Sequence, residues 1–378
     1  MLRILEELSS GAAFLLFFLL ATNPRGVNRS ANRWLSVFCF CLFVMTLDDL
    51  FINEQIYQRY PHFIGMEDVA AFLAAPAFFL AVDYFVSPHK TWQRRDYLHF
   101  SLIFLEITLS LPFLLSTAGV KWYHEQHPEA ASSLSKTLSA FLVTAFFIQI
   151  FAYWIWSFLK LNKHIRQIGE ISSREEQVNL RWLRHFLIIF LCMLTVWFAD
   201  GLLELPWLEY PAYFIYFAGI LMLAFYAILQ EEIYPFQPEE RVAIQHLLQE
   251  KEAPGERKRL MTAEEVEQLK KVLDAHMLAA KPFLDNDLGL PKLAKQVQCS
   301  THQLSYLLNE GYGESFYQFI NRYRVAAAQE LLSDPSKHHL TLLAIAYEAG
   351  FNSKTVFNTA FKNSTGLSPS DFRKQHLS

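Results

Sequence analysis

Two short runs near the end of the chain carry side chains at helical spacing that could make specific hydrogen bonds. The first is Thr301, His302, Gln303, Ser305, Tyr306 and Asn309; the second is Ser353, Lys354, Thr355, Asn358, Thr359 and Lys362. Each run lies opposite an apolar stripe, Leu304, Leu307 and Leu308 in one case and Val356, Phe357 and Phe361 in the other. That is the pattern of a helix with one buried face. Hydroxyl, amide, imidazole and amine groups on the free face can donate and accept, which is the chemistry that bonds base edges and phosphates. A helical bundle that binds protein would present the same groups. Catalytic chemistry has no comparable footing, since no GxSxG, HExxH, phosphate-loop or paired-carboxylate spacing occurs in the apolar spans described below. Cys39, Cys41, Cys192 and Cys299 form neither a zinc spacing nor a disulfide framework, and no cofactor or metal is expected.

A second set of candidates consists of carboxylates inside apolar runs, where an ionisable group is costly and so points to function. Asp48, Asp49, Glu106 and Asp200 are the ones least easily placed at an interface; Glu67, Asp68 and Glu204 can reach water from the ends of their runs. Together they would suit a polar cavity that holds a cationic or hydrogen-bonding ligand.

The elements that must position these groups follow from how composition divides along the 378 residues. The first 230 hold 16 Lys/Arg and 18 Asp/Glu, all eight Trp and 26 of the 34 Phe; the last 148 hold 17 Lys/Arg and 19 Asp/Glu. The first part is apolar enough for a membrane and the second is water-soluble. Seven apolar stretches can be laid out, Ile4 to Ala21, Leu35 to Ile52, Met66 to Val86, Tyr97 to Leu115, Leu134 to Leu159, His185 to Leu205 and Tyr210 to Leu229. Each is about the length that crosses a ~30 Å hydrocarbon layer, and each should be a helix because lipid offers backbone groups no water. The loops after the first, third and fifth stretches hold 12 of the 16 Lys and Arg. Short basic loops stay cytoplasmic, so the N-terminus is placed outside and the C-terminal part inside an inner, multi-pass membrane location. A cleaved signal peptide is the competing reading of the first stretch; Glu6, Glu7 and the lack of a small-x-small site argue against it.

Residues 231–280 form an acidic linker with 11 Asp/Glu against 7 Lys/Arg. Thr262 to Glu265 fits a capping box, and Val266, Leu269, Leu273, Met277 and Ala280 then give one apolar stripe, suited to docking on the next domain or to pairing with a second copy. From residue 281 onward the pattern is short amphipathic helices at Leu290 to Val297, Thr301 to Glu310, Ser315 to Leu332, Thr341 to Ala349, Ser353 to Thr365 and Ser368 to His376. The first and second of these, and the fourth and fifth, repeat a helix-turn-helix arrangement.

The stretch Ala349 to Lys362, AGFNSKTVFNTAFK, continued by Thr365 to Arg373, TGLSPSDFR, resembles the signature of AraC/XylS-type transcription regulators. Leu290 to Ala294 and Phe316 to Arg324 resemble that family's first helix-turn-helix and connecting helix. The resemblance implies a domain of two helix-turn-helix units bridged by a long helix and reading two successive major grooves; with the seven apolar stretches it gives an all-α chain in which a seven-transmembrane helical bundle precedes a cytoplasmic AraC-type double helix-turn-helix domain. The free helix faces then offer His302, Gln303, Ser305, Tyr306, Lys354, Thr355, Asn358 and Thr359 for base contacts, with phosphate contacts expected from Arg322, Arg324, Lys362, Arg373 and Lys374. Family members commonly carry Arg where this chain has Tyr306 and Thr359, so two cationic contacts are replaced. The expected partners are double-stranded DNA, the bilayer, a second copy of the chain, and a small ligand or membrane signal of unknown identity. The alternative is a transporter or channel whose soluble tail regulates it by binding protein.

Overall fold

Apolar runs become long helices here because a helix satisfies its own backbone bonds over its whole length. The protein, described by a computed structural model over residues 2–87, 90–127, 132–168, 180–203, 209–230 and 260–377, is all-α among those residues. It divides into two compact units, one of Met1–Lys163 with Leu180–Ile233, the other of His164–Asn179 with Tyr234–Ser378.

Apart from the short turns Ile56–Arg59 and Pro61–Phe63, the helices of the first unit are α1 (Leu2–Thr22), α2 (Arg29–Asn53), α3 (Met66–Val86), α4 (Ser101–Leu114, entered by a 3-10 segment Arg94–Phe100), α5 (Ala118–Gln126), α6 (Ser133–Ile168, whose end from His164 falls in the second unit), α7 (Arg181–Leu203) and α8 (Glu209–Leu229). Among the described residues five helices are long and apolar enough to cross a membrane: α1, α2, α3 with the turn before it, α4 with its 3-10 segment, and α6. Helices α7 and α8 stand where the sixth and seventh stretches were expected. Glu204 lies outside the described residues, as do the side chains of Trp197 and Asp200, and the apolar stretch described in α8, Tyr213–Ala227, is shorter than a crossing. Helix α2 packs between α1 and α3, and α1 also meets α8, which meets α7. Phe38 of α2, Phe78 of α3 and Phe186 of α7 meet with ring centroids 5.0 to 6.3 Å apart, so three helices share one aromatic contact.

Ion pairs close one end of this unit. Asp83, in the last turn of α3 and only 4% exposed, accepts from Lys90 at 2.8 Å and from Lys160 of α6. Lys90 also reaches Asp96 at 2.8 Å, and Asp96 caps its own segment through the Gln93 amide at 2.8 Å. Asp83 is an ionisable residue inside an expected span, so the rule that singled out Asp48 would also have found it.

The second unit begins, among the described residues, with α9 (Ala263–Ala279), the amphipathic helix of the linker; residues 231–259 lie outside the described set. It continues with α10 (Leu290–Gln296), α11 (Thr301–Tyr306, extended by a π-helical turn Leu307–Tyr312), α12 (Phe316–Ser333), α13 (Leu342–Glu348), α14 (Lys354–Thr365) and α15 (Pro369–Leu377). Ser and Thr residues set most of these starts. Thr262, Ser300, Ser315, Thr341 and Ser353 each accept a bond from the amide three residues on, and the first three are answered by Glu265, Gln303 and Gln318 in full capping boxes. Helix α12 spans two cores. Its first half buries Phe316, Phe319 and Ile320, and its second half contributes Val325, Ala328 and Leu332 to a cluster with Ile345, Phe351, Phe357 and Phe361.

The turn between α13 and α14 depends on Gly350. Its φ is +88°, and a Cβ there would lie 2.4 Å from the Phe283 carbonyl oxygen and 2.9 Å from Leu284 Cα. A side chain would be strained by the left-handed backbone and would also push away the 283–284 segment. Gly350→Ala is therefore expected to lower the stability of this unit by about 3 kcal/mol, read from urea unfolding of residues 260–378. A midpoint unchanged from the wild type would show that the segment yields at no cost.

Candidate nucleic-acid interface

Helix α14 carries the clearest site. Burial of Val356, Phe357 and Phe361 turns the other side outward, and Lys354, Thr355, Thr359 and Lys362 are exposed there with Asn358 half-buried among them. These positions follow the three-to-four residue repeat of one helix face. Ser353 caps the helix through the Val356 amide at 3.2 Å, which fixes the first turn and with it the start of the exposed row.

The corresponding helix of the first half is less open. His302, Gln303 and Tyr306 are half-buried along α11. Gln303 spends its Oε1 on the Ser300 amide at 2.9 Å, which leaves its amide nitrogen for another partner. Ser305 is 5% exposed, and the carbonyl of the same residue accepts from Asn309 Nδ2 at 2.8 Å. The expectation that Ser305 touches bases is corrected: it faces the packed side of α11, one residue from the buried Leu304.

The cations expected to hold phosphates separate in the same way. Lys362 and Lys374 are exposed. Arg322 pairs with Glu314, with its Nε at 3.1 and 3.2 Å and its Nη2 at 3.2 Å, and its guanidinium lies over the rings of Phe319 and Tyr323. Arg373 donates to the Leu340 carbonyl at 3.0 Å, which ties α15 to the approach to α13. Arg324 is corrected outright. It is 1% exposed, donates to the carbonyls of Phe283 at 2.8 Å and Asp285 at 2.9 Å, and lies 5.9 Å from the centre of the Phe351 ring. Spacing cannot separate a buried Arg from an exposed one two residues away when both sit on the same helix.

Helix α9 was not among the expected site elements, yet it docks beside the first recognition helix. Leu273 and Met277 are fully buried, and Asp274 accepts from Tyr312 at 2.8 Å and Tyr323 at 3.2 Å. Lys270 sits 4.8 Å from the centre of the Tyr312 ring, and His276 bonds Gln296 at 3.1 Å. Burial, then the Asp274 bond, push the Tyr312 hydroxyl well above its ordinary pKa, so it stays protonated as a donor. The apolar stripe from Val266 to Ala280 is the signal from which this docking could be read.

In the first unit the carboxylates are brought into a chain of neighbours. Asp48 accepts from Tyr57, Glu67 from the Gly65 amide at 3.1 Å, and Glu106, 3% exposed, from Ser110 at 2.5 Å. Asp49 lies within electrostatic reach of Asp48 and of Glu6, and Asp68 within reach of Glu106 and Asp48. Glu6 itself accepts from Asn53 at 3.0 Å. The Asp200 side chain lies outside the described set. Among the described residues no group of His, Cys, Asp or Glu is placed to hold a metal ion.

Two turn-linked helix pairs bridged by one long helix define a double helix-turn-helix unit. A family model described as a helix-turn-helix domain matches residues 293–375. These residues form an AraC-type helix-turn-helix domain, the DNA-binding domain of a family of transcription regulators that are not enzymes. The same region is similar to the HTH-type transcriptional activator RhaR of Salmonella dublin, 29% identical over 107 residues, which are 28% of this chain and 36% of that protein. It is similar also to the Msm operon regulatory protein of Streptococcus mutans, 29% over 110 residues, 29% of this chain and 36% of that one. The arabinose operon regulatory protein of Salmonella typhimurium is 28% identical over 103 residues, 27% of this chain and 36% of its own length. The chain thus spans about a third of the length of these curated relatives. No solved structure matches it with comparable significance.

Two outcomes follow. In binding assays with residues 260–378, Lys354→Ala should relax the preference for one sequence over another, whereas Lys362→Ala should weaken all duplexes alike and flatten the salt dependence by about one unit of slope. Equal effects of the two would reverse the assignment. Arg324→Met should cost on the order of 3 kcal/mol in unfolding, because the buried Phe283 carbonyl is left without its charged donor and the half-buried Asp285 carbonyl loses one of its two.

Proposed function

We propose that the chain is a membrane-integrated one-component transcription regulator. Its first 230 residues span the inner membrane seven times with the N-terminus outside, and its C-terminal domain binds promoter DNA in the cytoplasm. The observation that carries the reading is the exposed row Lys354, Thr355, Asn358, Thr359 and Lys362 on a capped helix within a region matched to a helix-turn-helix family. Base edges would be read by that row's first four residues and, in the neighbouring groove, by His302, Gln303 and Tyr306. Lys362, Lys374, Arg322 and Arg373 would contribute to phosphate binding, the last two from positions already tethered within the protein. The relatives carry the names of activators and operon regulators, which supports transcription as the output.

The signal would enter at the carboxylate-lined end of the helical bundle, through Asp48, Asp49, Glu106 and Asp200, as a cationic or hydrogen-bonding ligand. A ligand can act only by binding one packing of the helices better than another. Its effect would pass along the linker to α9 and from Asp274 to Tyr312 at the end of the first recognition helix, and would set the relative placement of two domains in a homodimer.

Selection of bound sequences from a random duplex pool by the full-length protein should recover two half-sites about one helical turn apart. A pool without enrichment would refute DNA reading. Tyr312→Phe should reduce signal-dependent transcription in a reporter strain while the selected site is still bound, since it removes one bond worth about 1 kcal/mol. The Tyr312 pKa is raised in the folded state, so the stability it contributes is complete below its ordinary value of 10.0 and is lost only as pH rises through the higher one. Unfolding of residues 260–378 should then show the same wild-type-to-Tyr312→Phe difference at pH 6 as at pH 9.

A further inference from the structure

The end of the first unit that holds Asp83 and Asp96 carries a surface that the proposed signalling path does not use. Trp34, in the first turns of α2, stacks on Trp92 with centroids 5.7 Å apart and planes 14° from parallel. Tyr97 meets the edge of Trp92 at 5.4 Å. Trp92 remains 36% exposed and Tyr97 64% exposed, so the aromatic cluster is a surface. Arg33 precedes Trp34, and Arg94 and Arg95 lie between Trp92 and Tyr97; all three are exposed.

Among the described residues no ion pair joins these guanidiniums to a carboxylate. The described carboxylates at this end are Asp83 and Asp96, both buried and already bonded by Lys90, with Lys160 as a further partner of Asp83. Three cations therefore border an indole pair in a charge-unbalanced patch. Indole and phenol rings sit at the level of lipid headgroups, where one side is apolar and the other wet. Guanidinium bonds phosphate oxygens with paired N–H donors, and basic segments beside a bilayer gain from anionic lipid.

We infer that Arg33, Trp34, Trp92, Arg94, Arg95 and Tyr97 form a binding site for the phosphate headgroup of an anionic phospholipid in the leaflet at that end. The indole pair supplies the floor beneath the glycerol and the arginines take the phosphate. Because the lipid would bridge the start of α2 and the segment between α3 and α4, it would add α2 to the elements that the Asp83 and Asp96 ion pairs join. The inference rests on the membrane reading of residues 1–230.

The test uses the full-length protein in nanodiscs made from equal amounts of phosphatidylglycerol and phosphatidylcholine, with retained lipid counted by native mass spectrometry after release into detergent. Wild type should keep phosphatidylglycerol in preference to phosphatidylcholine. Arg33→Gln with Arg94→Gln should reduce that preference about tenfold, the scale expected when two cationic contacts to a headgroup are removed. Arg181→Gln with Arg184→Gln takes the same charge from the start of α7 and should leave it unchanged. Equal loss in both double variants would mean diffuse attraction without a site and would overturn the inference, as would equal retention in wild type and the Arg33/Arg94 variant. Both variants are checked for incorporation, so that a loss of lipid preference is read only from protein that has folded into the nanodisc. Failure of the wild type itself to enter nanodiscs would defeat the membrane reading, a result distinct from entry without lipid preference.

Discussion

The C-terminal domain depends on one buried guanidinium. Arg324 leaves the middle of α12 and bonds the carbonyls of Phe283 and Asp285 in the short 3-10 turn that follows α9, the second carbonyl also accepting from the Leu288 amide at 3.3 Å. A buried carbonyl without a donor is expensive, so the buried Phe283 is held inside at the cost of a charged donor that only Arg324 supplies. Once held there, it occupies the space over Gly350, and Asn352 reaches back to the Asn286 carbonyl at 3.1 Å. The link that follows α9 and the turn that aims α14 are thus fixed by the same contact. The orientation of the exposed row on α14 is inherited from a residue that never reaches the surface.

Asp83 plays a comparable part among the apolar helices. A carboxylate in the last turn of α3 collects Lys90 from the following loop and Lys160 from α6, and Lys90 in turn engages Asp96 before α4. The end of α3, the segment that follows it and the distant α6 are joined at one end of the unit, where apolar packing has no directional preference of its own. Elsewhere the bundle combines apolar contacts, such as that of Phe38, Phe78 and Phe186, with single hydrogen bonds between helices, such as Gln149 to the Phe72 carbonyl at 3.2 Å and Trp154 to the Leu187 carbonyl at 2.9 Å.

The two halves of the DNA-binding domain are built alike and equipped differently. In α14 every polar residue expected at the interface is at least partly open, while in α11 Ser305 is packed away and Gln303 serves its own cap. The first half is instead the one held by α9, through Asp274 and Tyr312. Fewer free groups and an added internal contact suit a half-site that is more adjustable than the other.

Much of this was legible in the residues. The helix starts could be read from Thr262, Ser300, Ser315, Thr341 and Ser353, and the match is close because a cap is a local bond between residues three apart. The α3 span was read to its ends for a similar reason: apolar length and helix length are the same quantity in lipid. What the chain could not disclose alone was which of two like residues turns inward. Arg322 and Arg324 share a helix and a charge, yet one stacks on aromatic rings beside Glu314 and the other is sealed beneath Phe283, because only the path of residues 282–286 distinguishes their surroundings. The sequence by itself determined the helices, their caps and the apolar faces, all of which arise from neighbours along the chain. The tertiary structure alone decided that Arg324 and Ser305 are interior and that Asp83 is a junction, because burial and ion pairing are set by segments that sequence separation does not relate.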